Sequence, residues 1–155
     1  MYKKLKLKLI ARYLERERKK LVGLLPEHLQ NEFHRESYIA GGSIWSLYNW
    51  KKVNDIDVFI ESERLARELV TYFKNLPEAH MKLEYGQVIY LGRYKGERLV
   101  ITPNAITIGK FQIIIKEVGT PEKVLAELDF KHNMHYAKDG YVYTASDTYN
   151  LEMNE

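Results

Sequence analysis

Two periods organise the apolar positions of this chain, and the change from one to the other falls near residue 80. Over Tyr2 to Val22, the residues Ile10, Tyr13, Leu14, Leu21 and Val22 recur at helical spacing, and Gly23 with Pro26 ends the run. The opening KLKLKLI alternates with period 2, so a short strand there stays open as the alternative. A second helix is predicted over Pro26 to His34, with proline in its first turn. SYIA then reads as a strand, Ile44 to Lys51 as a helix and DIDVFIE as a strand. Ser62 to Asn75 is predicted to be an amphipathic helix, Ser62 capping it and Leu65, Leu69, Val70 and Phe73 turned inward.

Beyond residue 80 the pattern is β. QVIYL, RLVI, NAITI and FQIIIKE are short β-branched runs broken by glycine or proline. TPEKVLAEL is predicted to be helical with Thr120 as cap and Pro121 at its first position. DFKHNMHYA and YVYTA flank KDG, a hairpin signal. The expectation is one α+β domain over residues 1–155, a small mixed sheet with helices packed on it and a basic helical N-terminal segment over residues 1–35.

Composition narrows the chemistry. The chain has no cysteine, which removes disulfides and thiolate metal sites and suits a reducing cytoplasm. No apolar run reaches the roughly 18 residues of a membrane span, so no membrane partner is expected. Charge is uneven: residues 1–20 hold nine Lys or Arg against two Glu, whereas the other 135 hold fifteen against nineteen acids. Such a basic segment is either a solvated helix face or a seat for an anionic polymer such as RNA, with Lys3, Lys4, Lys6, Lys8 and Arg12 as the contacts.

The candidate chemistry lies in YIAGGSIWSLYNWKKVNDIDVFIES. Asp55 and Asp57 stand two apart on a predicted strand, so both carboxylates leave one face while Ile56, Val58 and Ile60 leave the other. Two solvated acids are the plain reading. Their mutual repulsion is relieved by a hard divalent cation, and magnesium fits such oxygens. Gly41 and Gly42 let the backbone turn sharply, and Ser43 opens a helix whose free amides suit a phosphate. His132 and His135 lie three apart on a predicted strand and point to opposite faces, so zinc is not expected. Trp45 and Trp50 are expected in the core, and Asn104 in a turn.

Ala40-Gly41-Gly42-Ser43, eleven residues, then Asp55-Ile56-Asp57 resembles the signature of the nucleotidyltransferase superfamily typified by DNA polymerase beta and the minimal nucleotidyltransferases. The remainder looks similar to small viral and phage proteins of that fold, which implies the host cytoplasm. The resemblance implies a nucleotidyltransferase-like fold and a metal-dependent enzyme moving a nucleoside monophosphate from a nucleoside triphosphate to a hydroxyl on RNA, protein or a small molecule. Asp55 and Asp57 would hold two Mg²⁺ ions, or Mn²⁺, and Gly41, Gly42 and Ser43 would cradle the phosphates. Asp129 would be the third carboxylate, as catalytic residue and metal ligand, with Glu117 as fallback. CCA-adding enzymes of the bacterial and eukaryotic type carry Arg-Asp where Trp45-Ser46 stand here, which sets CCA addition aside. The rival reading is a catalytically inactive module that binds nucleic acid or a partner protein.

Overall fold

The computed structural model describes residues 2–127 and 135–144. Five helices and nine strands follow one another as α1 (Tyr2–Leu24), α2 (Glu27–Glu36), β1 (Ser37–Ala40), α3 (Gly42–Tyr48), β2 (Ile56–Ile60), α4 (Glu63–Lys74), β3 (His80–Glu84), β4 (Gln87–Tyr94), β5 (Glu97–Ile101), β6 (Ala105–Ile108), β7 (Phe111–Ile114), α5 (Pro121–Glu127), β8 (His135–Lys138) and β9 (Tyr141–Thr144). The strands form one sheet in the order β3-β4-β5-β6-β7-β2-β1-β8-β9. Every neighbouring pair is antiparallel except β2 with β7. The α+β class and mixed sheet expected from the sequence are what the chain forms.

Strand parity decides which side each residue serves. Ile56, Val58 and Ile60 of β2, Ile39 of β1 and Phe111 and Ile113 of β7 enter the main core, packed beneath α1 to α4. Tyr38, Ala40 and Phe59 face the other way and meet Val124 and Leu125 of α5 in a smaller cluster. Asp57 lies on that second face, between Ala40 on β1 and Gln112 on β7.

The opening segment is one helix, so KLKLKLI is not a strand there. Its buried stripe is Ile10, Ala11, Leu14, Glu17, Arg18 and Leu21. Two charged residues in that stripe mean the basic segment docks along half its length. Glu17 is held by Lys20 at 2.7 Å and by Lys110. Burial pushes the Glu17 carboxyl up, but the bonds from Lys110 and Lys20 outweigh it and leave the carboxyl below its usual range. Local signals hold elsewhere. The Ser62 hydroxyl accepts from the Leu65 amide at 3.2 Å, and Thr120 accepts from the Lys123 amide at 3.4 Å. The KDG turn joins β8 to β9, with positive φ at Asp139 and Gly140.

Candidate functional site

The smaller cluster covers only the Tyr38–Phe59 end of the second face. Toward the start of β2 a polar cleft of about 360 Å³ opens, lined by Gly42, Ser43, Lys52, Asp55, Asp57 and Gln112 among others. Three local features build it. β1 runs antiparallel to β2 with Ala40 beside Asp57, and the small methyl leaves the carboxylate room. The chain then leaves β1 through Gly41 at φ 90°, ψ −155°, a region open essentially to glycine alone. A methyl at Gly41 would stand 3.0 Å from Asp57 Oδ2, so the backbone lies directly against that carboxylate. Last, α3 starts at Gly42 and sets Ser43 into the cleft wall.

Ser43 is 94% buried (6% exposed), and its hydroxyl has no hydrogen-bond partner. An orphaned buried hydroxyl is costly in an empty protein interior and is readily satisfied by a ligand. Asp57 is half-buried and Asp55 exposed at the cleft mouth. Burial first, and then the Asp55 charge, push the Asp57 carboxyl above its usual range. Two carboxylates, a hydroxyl and the Gln112 amide form a set of hard oxygen donors, which suits Mg²⁺ or a similar cation.

The raised Asp57 carboxyl carries a pH signature. The folded chain holds this proton to higher pH than the unfolded chain does, so the associated stability is complete below the unfolded carboxylate range. It is lost as pH rises through the folded range. Urea denaturation is therefore expected to show stability falling as pH rises above the unfolded carboxylate range, with Asp57→Asn flattening that part of the profile. An unchanged profile in the variant would show that another group carries the dependence.

Asp129 and His132 lie outside the described residues. Glu117 does not belong to the cleft. It follows the end of β7, near Gly119, whose amide bonds the Ile60 carbonyl at the far end of β2 from Asp55. The β7 residue level with Asp57 is Gln112, an amide. Gln112, Lys52 and Asn54 were not anticipated, although a lone polar residue inside FQIII is a signal for the first.

Trp45 packs against the main core, but Trp50 is 77% exposed. α3 ends at Tyr48, and Trp50 turns at φ 57°, which takes its ring off the helix. Lys6 is placed over the Tyr48 and Trp50 rings, at 4.3 and 4.4 Å from their centroids. Lys3, Lys4, Lys8 and Arg12 are exposed. Lys4, Lys8 and Arg12 share one groove with Tyr141 and Val142 of β9. Asn104 takes the turn role, its carbonyl accepting from Ile115 and Lys116.

A second acidic group, Glu15, His34 and Asp139, brings its ligand atoms within 4.8 Å of one another. The Arg18 guanidinium already sits among them, bonded to Glu15 at 2.9 and 3.0 Å and to Asp139 at 2.9 Å. That cation fills the role a metal would take. Among the described residues no helix is long and apolar enough to cross a membrane.

The sequence model of a family described as Gabija anti-defense 2 family protein matches residues 9–151. Gabija anti-defense 2 of Bacillus phage SPbetaL7 is 43% identical over 51 residues, which are 32% of this chain and only 13% of that protein. No solved structure matches the chain. These findings correct the resemblance to the nucleotidyltransferase superfamily, and with it the transfer of a nucleoside monophosphate from a nucleoside triphosphate to a hydroxyl. The family that spans the chain is a different one. A glycine turn followed by D-x-D is a local device for setting carboxylates beside a close backbone, and so short a motif does not carry a family's reaction with it.

Proposed function

This chain belongs to the Gabija anti-defense 2 family, and from that membership we propose that it counters Gabija defence inside the host cell by binding a component of that system. The observation that carries this reading is the reach of the family match, residues 9–151, which takes in the cleft and, of the groove between α1 and β9, the Ala11, Arg12 and β8–β9 side. The groove supports a protein partner. Its Lys4, Lys8 and Arg12 suit acidic side chains, and the 64% exposed Tyr141 offers an aromatic anchor.

The unpartnered Ser43 hydroxyl favours a second role for the same protein, as the seat of a divalent cation with a phosphate-bearing ligand. Asp55 and Asp57 would hold the cation, with Ser43 and Gln112 beside them and Lys52 toward the phosphate. When bound, the cation neutralises the two carboxylates and polarises phosphate oxygens.

The test uses phage plating on a Gabija-carrying host with and without the chain. Expression is expected to restore plating and to co-purify a Gabija protein. Unchanged plating would overturn the anti-defence reading. Calorimetry with MgCl₂ and pyrophosphate examines the cleft separately. Asp55→Asn with Asp57→Asn is expected to abolish the heat of binding while raising the unfolding midpoint slightly, because two repelling charges are gone. Equal binding by the double variant would remove the cation assignment and leave the plating result standing.

A further inference from the structure

We propose that β3 is the seam of a two-fold symmetric dimer, a second copy of this chain pairing antiparallel along it with Leu83 opposite Leu83. The inference goes beyond the anti-defence reading and does not rest on it.

β3 is the outer strand at one end of the nine-stranded sheet. Its two charged residues, Lys82 and Glu84, are of opposite sign, so they need not repel a second copy of the strand. Among the described residues no strand covers it, and it carries no proline. Met81 and Leu83 are 69% and 72% exposed, and Tyr85 at the hairpin tip is 97% exposed. Met81 and Leu83 share a face with Val88 and Tyr90 of β4, their cross-strand partners. That face continues the main-core side of the sheet, where Tyr90 packs partly against the core. The apolar surface therefore runs on past the point where the helices stop covering it.

Backbone geometry selects the centre of symmetry. β3 and β4 are joined by the two-residue turn Tyr85-Gly86, with φ of 51° and 76°, the type I′ hairpin pattern. Such a loop closes on a hydrogen-bonded pair, here Glu84 with Gln87, so residues alternate from there. Lys82 and Glu84 bond toward β4, while Met81 and Leu83 aim their amides and carbonyls outward. A two-fold axis at Leu83 lets the two Leu83 residues exchange both N–H···O bonds.

Charge complementarity supports the same register. With Leu83 opposite Leu83, Lys82 of each copy falls opposite Glu84 of the other, and the seam gains two opposite-charge cross-strand pairs. Moving the two-fold axis from Leu83 to Lys82 would instead set Lys82 against Lys82. In the single chain Lys82 and Glu84 stand 3.6 Å apart, so the groups that pair across the seam already lie on one face. Met81 of one copy would meet Tyr85 of the other, covering the most exposed ring of the hairpin.

Sedimentation velocity over a concentration series reads the proposal on the full chain. The wild type is expected to move from monomer to twice that mass. Lys82→Glu and Glu84→Lys, both at exposed or half-exposed positions, are each expected to raise the dissociation constant about tenfold or more, and the double charge swap to regain wild-type association. Circular dichroism checks that each variant is folded. A wild type that stays monomeric throughout, single variants that associate as the wild type does, or a folded double variant that stays monomeric would each overturn it.

Discussion

Replacing Arg18 with Met is expected to lower the unfolding free energy by about 3–5 kcal/mol, the range for breaking a buried charge network by removing one member. Arg18 is fully buried although it lies in the basic N-terminal helix. Its Nη1 donates to the His34 carbonyl at 2.5 Å and to the Ser37 hydroxyl at 2.9 Å, at the junction of α2 and β1. Its Nε and Nη2 bond Glu15 on the same helix, and Nη2 also reaches Asp139 in the β8–β9 turn. One side chain thus ties three elements distant in sequence. Methionine fills most of the volume but leaves the Glu15 carboxylate and the Ser37 and His34 oxygens without their donor. Asp139→Asn is the contrast, because Asp139 is 56% exposed and its loss should cost well under about 1 kcal/mol. Urea denaturation separates the two. A small change for Arg18→Met would mean the network is dispensable.

Gly41→Ala is expected to act on stability and on the cleft together. The backbone there has a positive φ that alanine tolerates poorly, at a cost of about 1–3 kcal/mol. Its methyl would also arrive 3.0 Å from Asp57 Oδ2, so the carboxylate must shift by some tenths of an ångström. Cation affinity is expected to fall about tenfold, the equivalent of about 1.4 kcal/mol, as read by calorimetry with MgCl₂. Gly42→Ala is the control, since a methyl there meets nothing within 4 Å. If Gly42→Ala weakened binding as much as Gly41→Ala, the close approach to Asp57 would not be the cause.

Much of the fold was legible because local rules and burial agree. Ser62 caps α4 and Leu65, Leu69 and Phe73 are buried along it, as the helical spacing predicts. QVIYL, RLVI, NAITI and FQIII are strands because glycine or proline punctuates β-branched runs. HMKLE was not read as a strand. With its exposed apolar residues and no flanking β-branched run, it takes its structure from pairing with β4. Trp50 misled because a large ring suggests a core, and only the early end of α3 exposes it.

The site was partly legible. The spacing of Gly41, Gly42 and Ser43 before Asp55 and Asp57 is visible in sequence, and β1 and β2 lie beside each other. Gln112 was not, because it reaches Asp57 only through the pairing of β2 with β7. Arg18 was hidden for a similar reason. Its partners come from α2, β1 and a turn near the other end of the described chain, so nothing nearby marks it apart from its basic neighbours. The family match gives the family that the motif misassigned, since it spans most of the chain where the motif covers one turn and one strand.

The single parallel ladder has a consequence for the order of assembly. From β3 to β7 each strand pairs with the one just before it, so that half of the sheet can zip up by successive short hairpins. The other half, β2, β1, β8 and β9, draws its strands from both ends of the described chain and joins the first in the sheet along the β2–β7 ladder, from Ile56 on Phe111 to Val58 on Ile113. Closing that joint demands the long intervening loop, and loop-closure entropy makes such contacts slow to form. Asp57 and Gln112 belong to opposite sides of it. All the other residues that line the cleft come from the β1–β2 side, so docking the two halves is what sets Gln112 beside Asp57 and completes its wall.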